Sequence, residues 1–200
     1  MIGIYSHNTG NVYSIVSALN KFTDKFKVTN NLLDLKNFNK IIIPGVGNMI
    51  ELSKNENLKK NLIDFNDSKK IILGICLGAQ YFLQKNSESN TSTSGLIKGN
   101  TKSLKEDFGI HLNVCFNKIE KDPNNEIAKK LFNNIWDEKF YFLHRYYMNS
   151  EDDDSQVLYS IKNKKKIPSV LIKNNIVGIQ FHPELSFDAG VKFFKNFYSL

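Results

Sequence analysis

The fold is decided by the seven residues Gly74-Ile75-Cys76-Leu77-Gly78-Ala79-Gln80. They directly follow the apolar run Lys70-Ile71-Ile72-Leu73 and directly precede the helix-like segment Tyr81-Phe82-Leu83. Cys76 is therefore predicted to lie where a buried strand turns sharply into a helix, which is the setting of a nucleophile elbow. The flanking glycines permit a tight backbone there, and a helix N-terminus favours a thiolate over a thiol. The alternative is a buried core cysteine, and the glycines favour the nucleophile over it.

The composition predicts one folded domain spanning residues 1–200. The chain is 41% hydrophobic, and no apolar run is long enough to span a membrane. Residues 1–5 begin directly in a strand-like pattern, without the basic region and apolar core of a signal peptide, so we expect a cytoplasmic protein. The two cysteines, Cys76 and Cys115, are too few for a disulfide framework.

The formal net charge of +7 by itself allows nucleic acid or an anionic membrane as a partner. The lysines are interleaved with asparagine, however, and the densest group, at 162–166, lies between two strand-like runs and is predicted to be a solvated hairpin turn. We therefore expect neither a nucleic-acid nor a membrane partner. The histidines are too few and scattered for a metal site, and no phosphate-binding glycine loop occurs, so no metal or cofactor is expected.

Strands and helices alternate along the first half of the chain. The predicted strands there are 1–5, 26–29, 40–43 and 71–75, and the predicted helices are 11–21, 58–66 and 77–84. The polar stretch 86–94 is predicted to be a surface loop. The second half is richer in strands, at 112–117, 140–143, 156–161, 168–172 and 176–181, and ends in a helix at 187–198. Continuous apolar strands separated by helices predict an α/β fold, with a mixed, mostly parallel sheet covered by helices on both faces.

A second chemical signal is Phe181-His182-Pro183-Glu184, at the end of the last predicted strand. Glu184 lies two residues past His182, where its carboxylate can accept a hydrogen bond from the imidazole. A cysteine nucleophile needs a base that holds the thiolate and protonates the leaving group, and the base needs a carboxylate that sets its tautomer. We therefore predict Cys76, His182 and Glu184 as the catalytic set. Taken alone, His182 would more often be a core histidine, and the pairing with the Cys76 elbow favours the catalytic interpretation.

A third signal is Pro44-Gly45-Val46-Gly47, which also follows a predicted strand. Its glycines permit a loop whose backbone N–H groups point into a site. Acyl transfer through a covalent intermediate needs such donors for the developing oxyanion. We predict the N–H groups of Val46 and Leu77 as this pair, and an ordinary strand-to-helix turn is the alternative.

With these motifs the chain resembles, from end to end, the class I glutamine amidotransferases, the family of triad glutaminases. Residues 74–80 and 181–184 are similar to the nucleophile and base motifs of that family. Further similarities at 10–15, 44–47, 140–147 and 181–197 favour the branch of glutaminase subunits of imidazole glycerol phosphate synthases. The resemblance implies a flavodoxin-like fold. It also implies that Cys76 attacks the side-chain amide of L-glutamine, that ammonia leaves, and that water hydrolyses the thioester to glutamate.

The resemblance also implies a partner and a substrate pocket. In a heterodimer, ammonia would pass to a (β/α)8 synthase subunit that makes imidazole glycerol phosphate in histidine biosynthesis. By motif position, Gln80 and Gly47 would line the glutamine pocket, and Glu88 would hold the α-ammonium group. The backbone of His144, Arg145 and Tyr146 would meet the α-carboxylate. A solvated carboxylate at Glu88 and a structural histidine at His144 are the alternatives.

Three segments depart from the family pattern: Ser6-His7-Asn8-Thr9, Leu112-Asn113-Val114-Cys115-Phe116-Asn117, and Leu185, where a basic residue is usual. By the resemblance, these segments face or support the synthase subunit. They leave open a paralogue that supplies ammonia to a synthetase for amidination of a surface sugar. A catalytically silent regulatory subunit and a cysteine peptidase are further alternatives. The complete triad argues against the first and the glutamine-type pocket motifs against the second.

Overall fold

The computed structural model describes residues 1–6, 12–45, 49–68, 70–122 and 124–200. The helices are α1 (Val12–Leu19), α2 (Leu32–Leu35), α3 (Met49–Ser53), α4 (Glu56–Asp67), α5 (Leu77–Gln80), α6 (Leu104–Phe108), α7 (Glu126–Leu131) and α8 (Phe187–Ser199), with a 3₁₀ turn at Pro183–Leu185. The strands are β1 (Ile2–Tyr5), β2 (Phe26–Thr29), β3 (Lys40–Ile43), β4 (Ile71–Ile75), β5 (Lys85–Asn86), β6 (Thr91–Ser92), β7 (Gly99–Ser103), β8 (Asn113–Asn117), β9 (Phe140–His144), β10 (Tyr146–Ser150), β11 (Gln156–Lys162), β12 (Lys165–Lys173), β13 (Ile176–Ile179) and β14 (Phe181–His182).

The main sheet has seven strands in the order β11-β12-β13-β4-β3-β1-β2. The five strands from β13 to β2 are parallel, and β12 and β11 extend the sheet in antiparallel orientation. This arrangement of the parallel strands is that of a doubly wound sheet, which binds ligands at the carboxyl ends of its strands. Because β3, β4 and β13 are neighbours, the segments that follow them emerge side by side at one edge of the sheet.

Helices cover both faces of this sheet, as the alternation of elements predicts. On one face, α1, α7 and α8 bury apolar side chains such as Leu19, Leu131 and Phe197 against the strands. On the other face, α4 buries Leu58, Leu62 and Phe65. The central strands β1, β3, β4 and β13 are buried between the two layers and have no polar face to present to water, which explains their apolar sequence.

The second half of the chain forms more than one sheet, which the sequence does not predict. Within the described residues, a four-stranded sheet has the order β10-β7-β5-β6 and a three-stranded sheet has the order β14-β9-β8. The predicted strand 176–181 is in fact two strands, since β13 joins the main sheet and β14 pairs with β9, with the break at Gln180. Both parts are buried on all sides, so the hydrophobic pattern carries no sign of the change of sheet.

Two local predictions are also wrong. The helix predicted at 77–84 ends at Gln80, because the carbonyls of residues 81–83 accept hydrogen bonds from residues 94, 95 and 97 instead of continuing the helix. The stretch 86–94 is not simply a surface loop, since it includes β6 and the buried Asn86, Thr93 and Ser94. The hydroxyls of Thr93 and Ser94 donate to backbone carbonyls, which makes the burial of these polar side chains tolerable.

The hairpin predicted around 162–166 is confirmed. Strands β11 and β12 pair in antiparallel orientation, and the two turn residues, Asn163 and Lys164, both have positive φ angles of 52° and 63°. This is the backbone of a two-residue hairpin turn whose twist matches that of the strands. Among the helices that the structure describes, none combines the length and apolarity needed to cross a bilayer.

Candidate active site

Cys76 occupies the single residue between β4 and α5, as the sequence predicts. Its backbone has φ 47° and ψ −104°, a strained conformation for a residue with a side chain. The Cys76 N–H donates to the Ile179 carbonyl at 2.7 Å, and the Cys76 carbonyl accepts from the Gln80 N–H at 3.0 Å. These bonds hold the sharp turn, which places the sulfur at the edge of the sheet where the neighbouring parallel strands also end.

Two glycines allow the elbow to pack against the end of β3. A Cβ atom on Gly78 would collide with the Ile43 carbonyl oxygen, and one on Gly45 would collide with the Ile75 carbonyl oxygen. The colliding atoms are backbone atoms of central strands, so they cannot move aside as a side chain would. Glycine is required at both positions by the close approach of backbone to backbone.

His182 and Glu184 are brought to Cys76 by β14 and the 3₁₀ turn that follows it. The His182 Nδ1–H donates to Glu184 Oε1 at 2.8 Å, and both side chains are almost fully buried, with 3% and 2% exposed. The Cys76 side chain is also close enough to the imidazole to raise its pKa. The three residues predicted as a catalytic set therefore form one connected group.

The charges of this group set the protonation state of His182. Burial lowers the pKa of His182, but the hydrogen bonds and negative charges of Cys76 and Glu184 outweigh burial and raise the pKa to about 10. At neutral pH the ring is therefore protonated, beside the Glu184 carboxyl group and the Cys76 sulfur. A protonated imidazole beside a cysteine sulfur can serve as the proton donor for a leaving group.

Leu77 and Gly45 interact directly at the predicted oxyanion site. The Leu77 N–H donates to the Gly45 carbonyl at 3.3 Å, so this predicted oxyanion donor is engaged by the backbone. Val46 and Gly47, the other residues predicted in this loop, lie outside the described residues.

The predicted substrate contacts are divided between the site and the surface. The end of β9 lies beside Cys76, with the Leu143 carbonyl oxygen 3.9 Å from Cys76 Sγ. His144 and Tyr146 follow directly, whereas the Arg145 side chain is exposed. Glu88 is also exposed, on the turn between β5 and β6.

His144 is buried and neutral. Its Nδ1–H donates to the Tyr146 carbonyl at 2.8 Å, and its Nε2 accepts from Asn113 Nδ2 at 2.8 Å. Burial lowers the pKa of His144 to about 4 despite the bond to the Tyr146 carbonyl. The Asn113 oxygen in turn accepts from Lys162 Nζ at 2.7 Å. The His144 side chain therefore stabilises the turn between β9 and β10.

Gln80 lies in a buried network that also contains a residue which the sequence analysis missed. Gln80 Nε2 donates to the Tyr146 carbonyl and to Gln180 Oε1, at 3.2 Å and 3.3 Å. Gln180 Nε2 in turn lies 3.3 Å from Cys76 Sγ. The available signal for Gln180 was a single polar residue in an otherwise apolar strand, directly before Phe181-His182.

Comparison with known proteins agrees with this geometry. The family model described as glutamine amidotransferase class-I matches residues 4–199. The chain is 36% identical to the imidazole glycerol phosphate synthase subunit HisH of Methanocaldococcus jannaschii, covering 100% of both chains. It is 33% identical to the subunit of the same name from Caldanaerobacter subterraneus, covering 98% of this chain and 97% of that one.

Solved structures are similar in fold at lower sequence identity. A glutamine amidotransferase crystal structure superposes with a TM-score of 0.72 and 14% identity, covering 98% of this chain and 97% of that one. PurLQS from Thermotoga maritima superposes with a TM-score of 0.74 and 17% identity, covering 99% and 97%. These similarities bear on the fold, and they confirm the predicted α/β class with a mostly parallel sheet.

Replacing Gly78 with alanine is expected to destabilise the protein by about 3 kcal/mol, because the new methyl group would press on backbone atoms of β3. The measurement is the free energy of unfolding in urea. In the control Gly109→Ala, where nothing lies within 4 Å of the new Cβ, the change should cost only about 1 kcal/mol for the left-handed φ. Equal losses in the two variants would contradict the close packing of the elbow.

The two buried histidines are expected to titrate far apart. In an NMR titration of the ring signals, the pKa of His182 should lie near 10 and that of His144 near 4. Cys76→Ala should lower the pKa of His182, because one of its two negative partners is removed. Since the folded pKa of His182 exceeds its unfolded value of 6.5, its stabilising contribution is complete below that value and is lost as the pH rises through about 10. A titration of His182 near its unfolded value would rule out the ion pair.

Proposed function

The chain belongs to the class-I glutamine amidotransferase family, and on that premise we propose that Cys76, His182 and Glu184 hydrolyse L-glutamine to glutamate and ammonia. The observation that carries the assignment of roles is the arrangement of His182, which is hydrogen-bonded to Glu184 and whose pKa is raised by both Cys76 and Glu184. A single domain over residues 1–200 accounts for the family match over 4–199.

In the first half of the reaction, the Cys76 thiolate attacks the side-chain amide carbon of glutamine. The carbonyl oxygen becomes an oxyanion, and His182 donates its proton to the amide nitrogen, so the C–N bond breaks and ammonia leaves. In the second half, neutral His182 accepts a proton from water, whose oxygen attacks the thioester. Collapse of the second oxyanion releases glutamate and restores the thiolate beside the protonated imidazole.

The oxyanion needs two donors, for which we propose the N–H groups of Leu77 and Val46. The Leu77 N–H would have to exchange its bond to the Gly45 carbonyl for a bond to the oxyanion. Gly47 and Gln80 would line the glutamine pocket, and the backbone of His144, Arg145 and Tyr146 would meet the α-carboxylate. The position of β9 beside Cys76 supports this assignment, and the exposed Glu88 would hold the α-ammonium group.

We further infer that the ammonia goes to a (β/α)8 synthase subunit in histidine biosynthesis, in the cytoplasm, because the similar relatives carry the name imidazole glycerol phosphate synthase subunit. Support comes from an apolar face, which consists of Val114, Phe116, Leu143 and Phe187. Each of these side chains is between 43% and 76% exposed. Contiguous exposed apolar surface of this kind marks a site of contact between proteins.

Strand pairing brings the residues of the apolar face together. Val114 is directly opposite Leu143 in the β8–β9 pair, and the ring of Phe116 stacks on that of Phe187 with a centroid distance of 5.8 Å. The carbonyl of the same Leu143 lies beside the nucleophile. A subunit docked on this face would therefore lie next to the position where ammonia is released.

Two residues of the apolar face, Val114 and Phe116, belong to a segment that departs from the usual family pattern. Leu185, another departure, lines the same groove as Phe187. This observation keeps a second candidate function, in which the ammonia serves a synthetase that amidinates a sugar. The two functions share the glutaminase chemistry and differ in the protein that covers the apolar face.

Substitution of the nucleophile gives the first test of the chemistry. Cys76→Ala is expected to lower the rate of glutamate release from glutamine by about 1000-fold or more, since no thioester can form. Cys115→Ala is the matched control, because this half-buried thiol bonds Asn113 outside the triad, and it should keep the wild-type rate. Undiminished turnover by Cys76→Ala would exclude the proposed mechanism. A complete lack of turnover in the wild type, alone and with a synthase, would favour a silent regulatory subunit.

The apolar face is tested with a (β/α)8 histidine-pathway synthase and its substrate. Wild-type glutamate release should be strongly stimulated, and Phe116→Asp should weaken binding of the synthase by about tenfold or more while keeping the basal rate. Ile63→Asp, at a similarly exposed apolar residue on α4, is the control and should retain the stimulation.

Two outcomes would contradict parts of this proposal. Basal activity that does not respond to the synthase would favour the second candidate function, in which the ammonia serves the amidination of a sugar. Stimulation that survives in Phe116→Asp would remove the apolar face from the interface.

A further inference from the structure

We propose that Gln180 donates a hydrogen bond to the sulfur of Cys76 and thereby holds the thiolate in its attacking position. The inference deepens the proposed function and rests on Cys76 being the nucleophile. It adds to the reaction a residue that lies outside the Cys-His-Glu set and that is fully buried.

The backbone places Gln180 beside Cys76. The Cys76 N–H is bonded to the carbonyl of Ile179, the residue that directly precedes Gln180, at 2.7 Å. The Gln180 N–H is bonded to the Ser169 carbonyl at 2.8 Å on the other side. Gln180 is thus clamped between β4 and β12 at the point where the chain leaves the main sheet, and its Nε2 lies 3.3 Å from Cys76 Sγ.

The direction of this hydrogen bond matters, because an amide turned by 180° would present its oxygen to the sulfur. The orientation is determined by neighbours that have only one possible role. The Tyr146 carbonyl can only accept, so the NH₂ group of Gln80 must face it. That NH₂ group also donates to Gln180 Oε1, which leaves the NH₂ group of Gln180 facing the sulfur.

The other end of the network is anchored in the same way. The Ser89 backbone N–H can only donate, and it donates to Asn86 Oδ1 at 2.9 Å. The NH₂ group of Asn86 therefore points to Gln80, where it donates to Oε1 at 3.3 Å. The Tyr146 carbonyl and the Ser89 N–H therefore agree on the orientation of the buried side-chain amides of Asn86, Gln80 and Gln180.

An N–H group aimed at the sulfur has a clear chemical consequence. A hydrogen bond to an ionised group is stronger than one between neutral groups, and burial strengthens it further. Because Gln180 donates to the sulfur and the charged ring of His182 also acts on it, the direction in which the thiolate can attack is restricted. The network that holds Gln180 is formed before substrate arrives, so no reorganisation is needed during the reaction.

The test measures the pH dependence of Cys76 alkylation by iodoacetamide, without glutamine and in a Cys115→Ala background, so that one thiol reacts. Gln180→Met keeps the size of the side chain and removes the donor. Its alkylation midpoint should move upward by about 0.5 to 1 pH unit. The kcat for glutamate release should fall by about tenfold, with KM changed by less than about twofold, because the lost bond acts on the sulfur.

Gln180→Glu keeps the shape and places a carboxyl group beside the sulfur, which disfavours the thiolate, so its midpoint should move upward further than that of Gln180→Met. Gln180→Glu serves as the test variant if Gln180→Met does not fold. Ser160→Ala is the structural control, because it removes another buried polar contact, to Ser169 Oγ, away from the sulfur. It should change the stability without moving the alkylation midpoint.

Wild-type alkylation midpoints and kcat values in folded Gln180→Met or Gln180→Glu would overturn the inference, as would an equal shift in Ser160→Ala. Failure of the proposed function is a separate result. It would appear as an absence of glutamate release by the wild-type enzyme, whereas the alkylation profile reports on Gln180 whether or not glutamine is the substrate.

Discussion

The pairing of β4 with β13 is the constraint on which the rest of the site depends. These parallel strands are in register from Ile72 with Ile176 to Ile75 with Ile179, and the Cys76 N–H continues the ladder to the Ile179 carbonyl. The elbow is therefore hydrogen-bonded directly to the strand that leads to Gln180 and His182. A slip of one residue would turn every side chain of β13 to the opposite face of the sheet, and the thiol would lose its partners.

The two buried histidines near Cys76 show that the groups facing a histidine ring, and not burial alone, determine whether the ring is charged. Burial acts on both rings in the same direction, since it disfavours the charged form. His182 faces a carboxylate and a sulfur, so its pKa is raised, whereas His144 bonds to a backbone carbonyl and an amide, so its pKa is lowered. One histidine is a proton donor at neutral pH and the other is a neutral support for the β9–β10 turn.

Some hydrogen bonds of the site are already formed, whereas one proposed oxyanion donor is bonded to the backbone instead. Cys76 is already connected to the amide network through Gln180, while the Leu77 N–H is occupied by the Gly45 carbonyl. The strand that carries Leu143 touches both the sulfur through its carbonyl and the apolar face through its side chain. This strand therefore connects Cys76 with the apolar face.

The sequence by itself determined the candidate triad of Cys76, His182 and Glu184 and the alternating architecture, because these depend on local patterns. An apolar run followed by Gly-x-Cys-x-Gly predicts the strand, the turn and the helix, and a His-x-Glu motif after a strand predicts the base and its carboxylate. Only the tertiary structure decided where helix α5 ends, how the later strands are divided among sheets, and that Gln180 faces the sulfur. These features depend on hydrogen bonds between residues far apart in the chain, such as Gln80 with Gln180 and Tyr81 with Ser94. A buried strand has the same apolar pattern whichever sheet it joins, and a buried amide shows its role only when its partners are known.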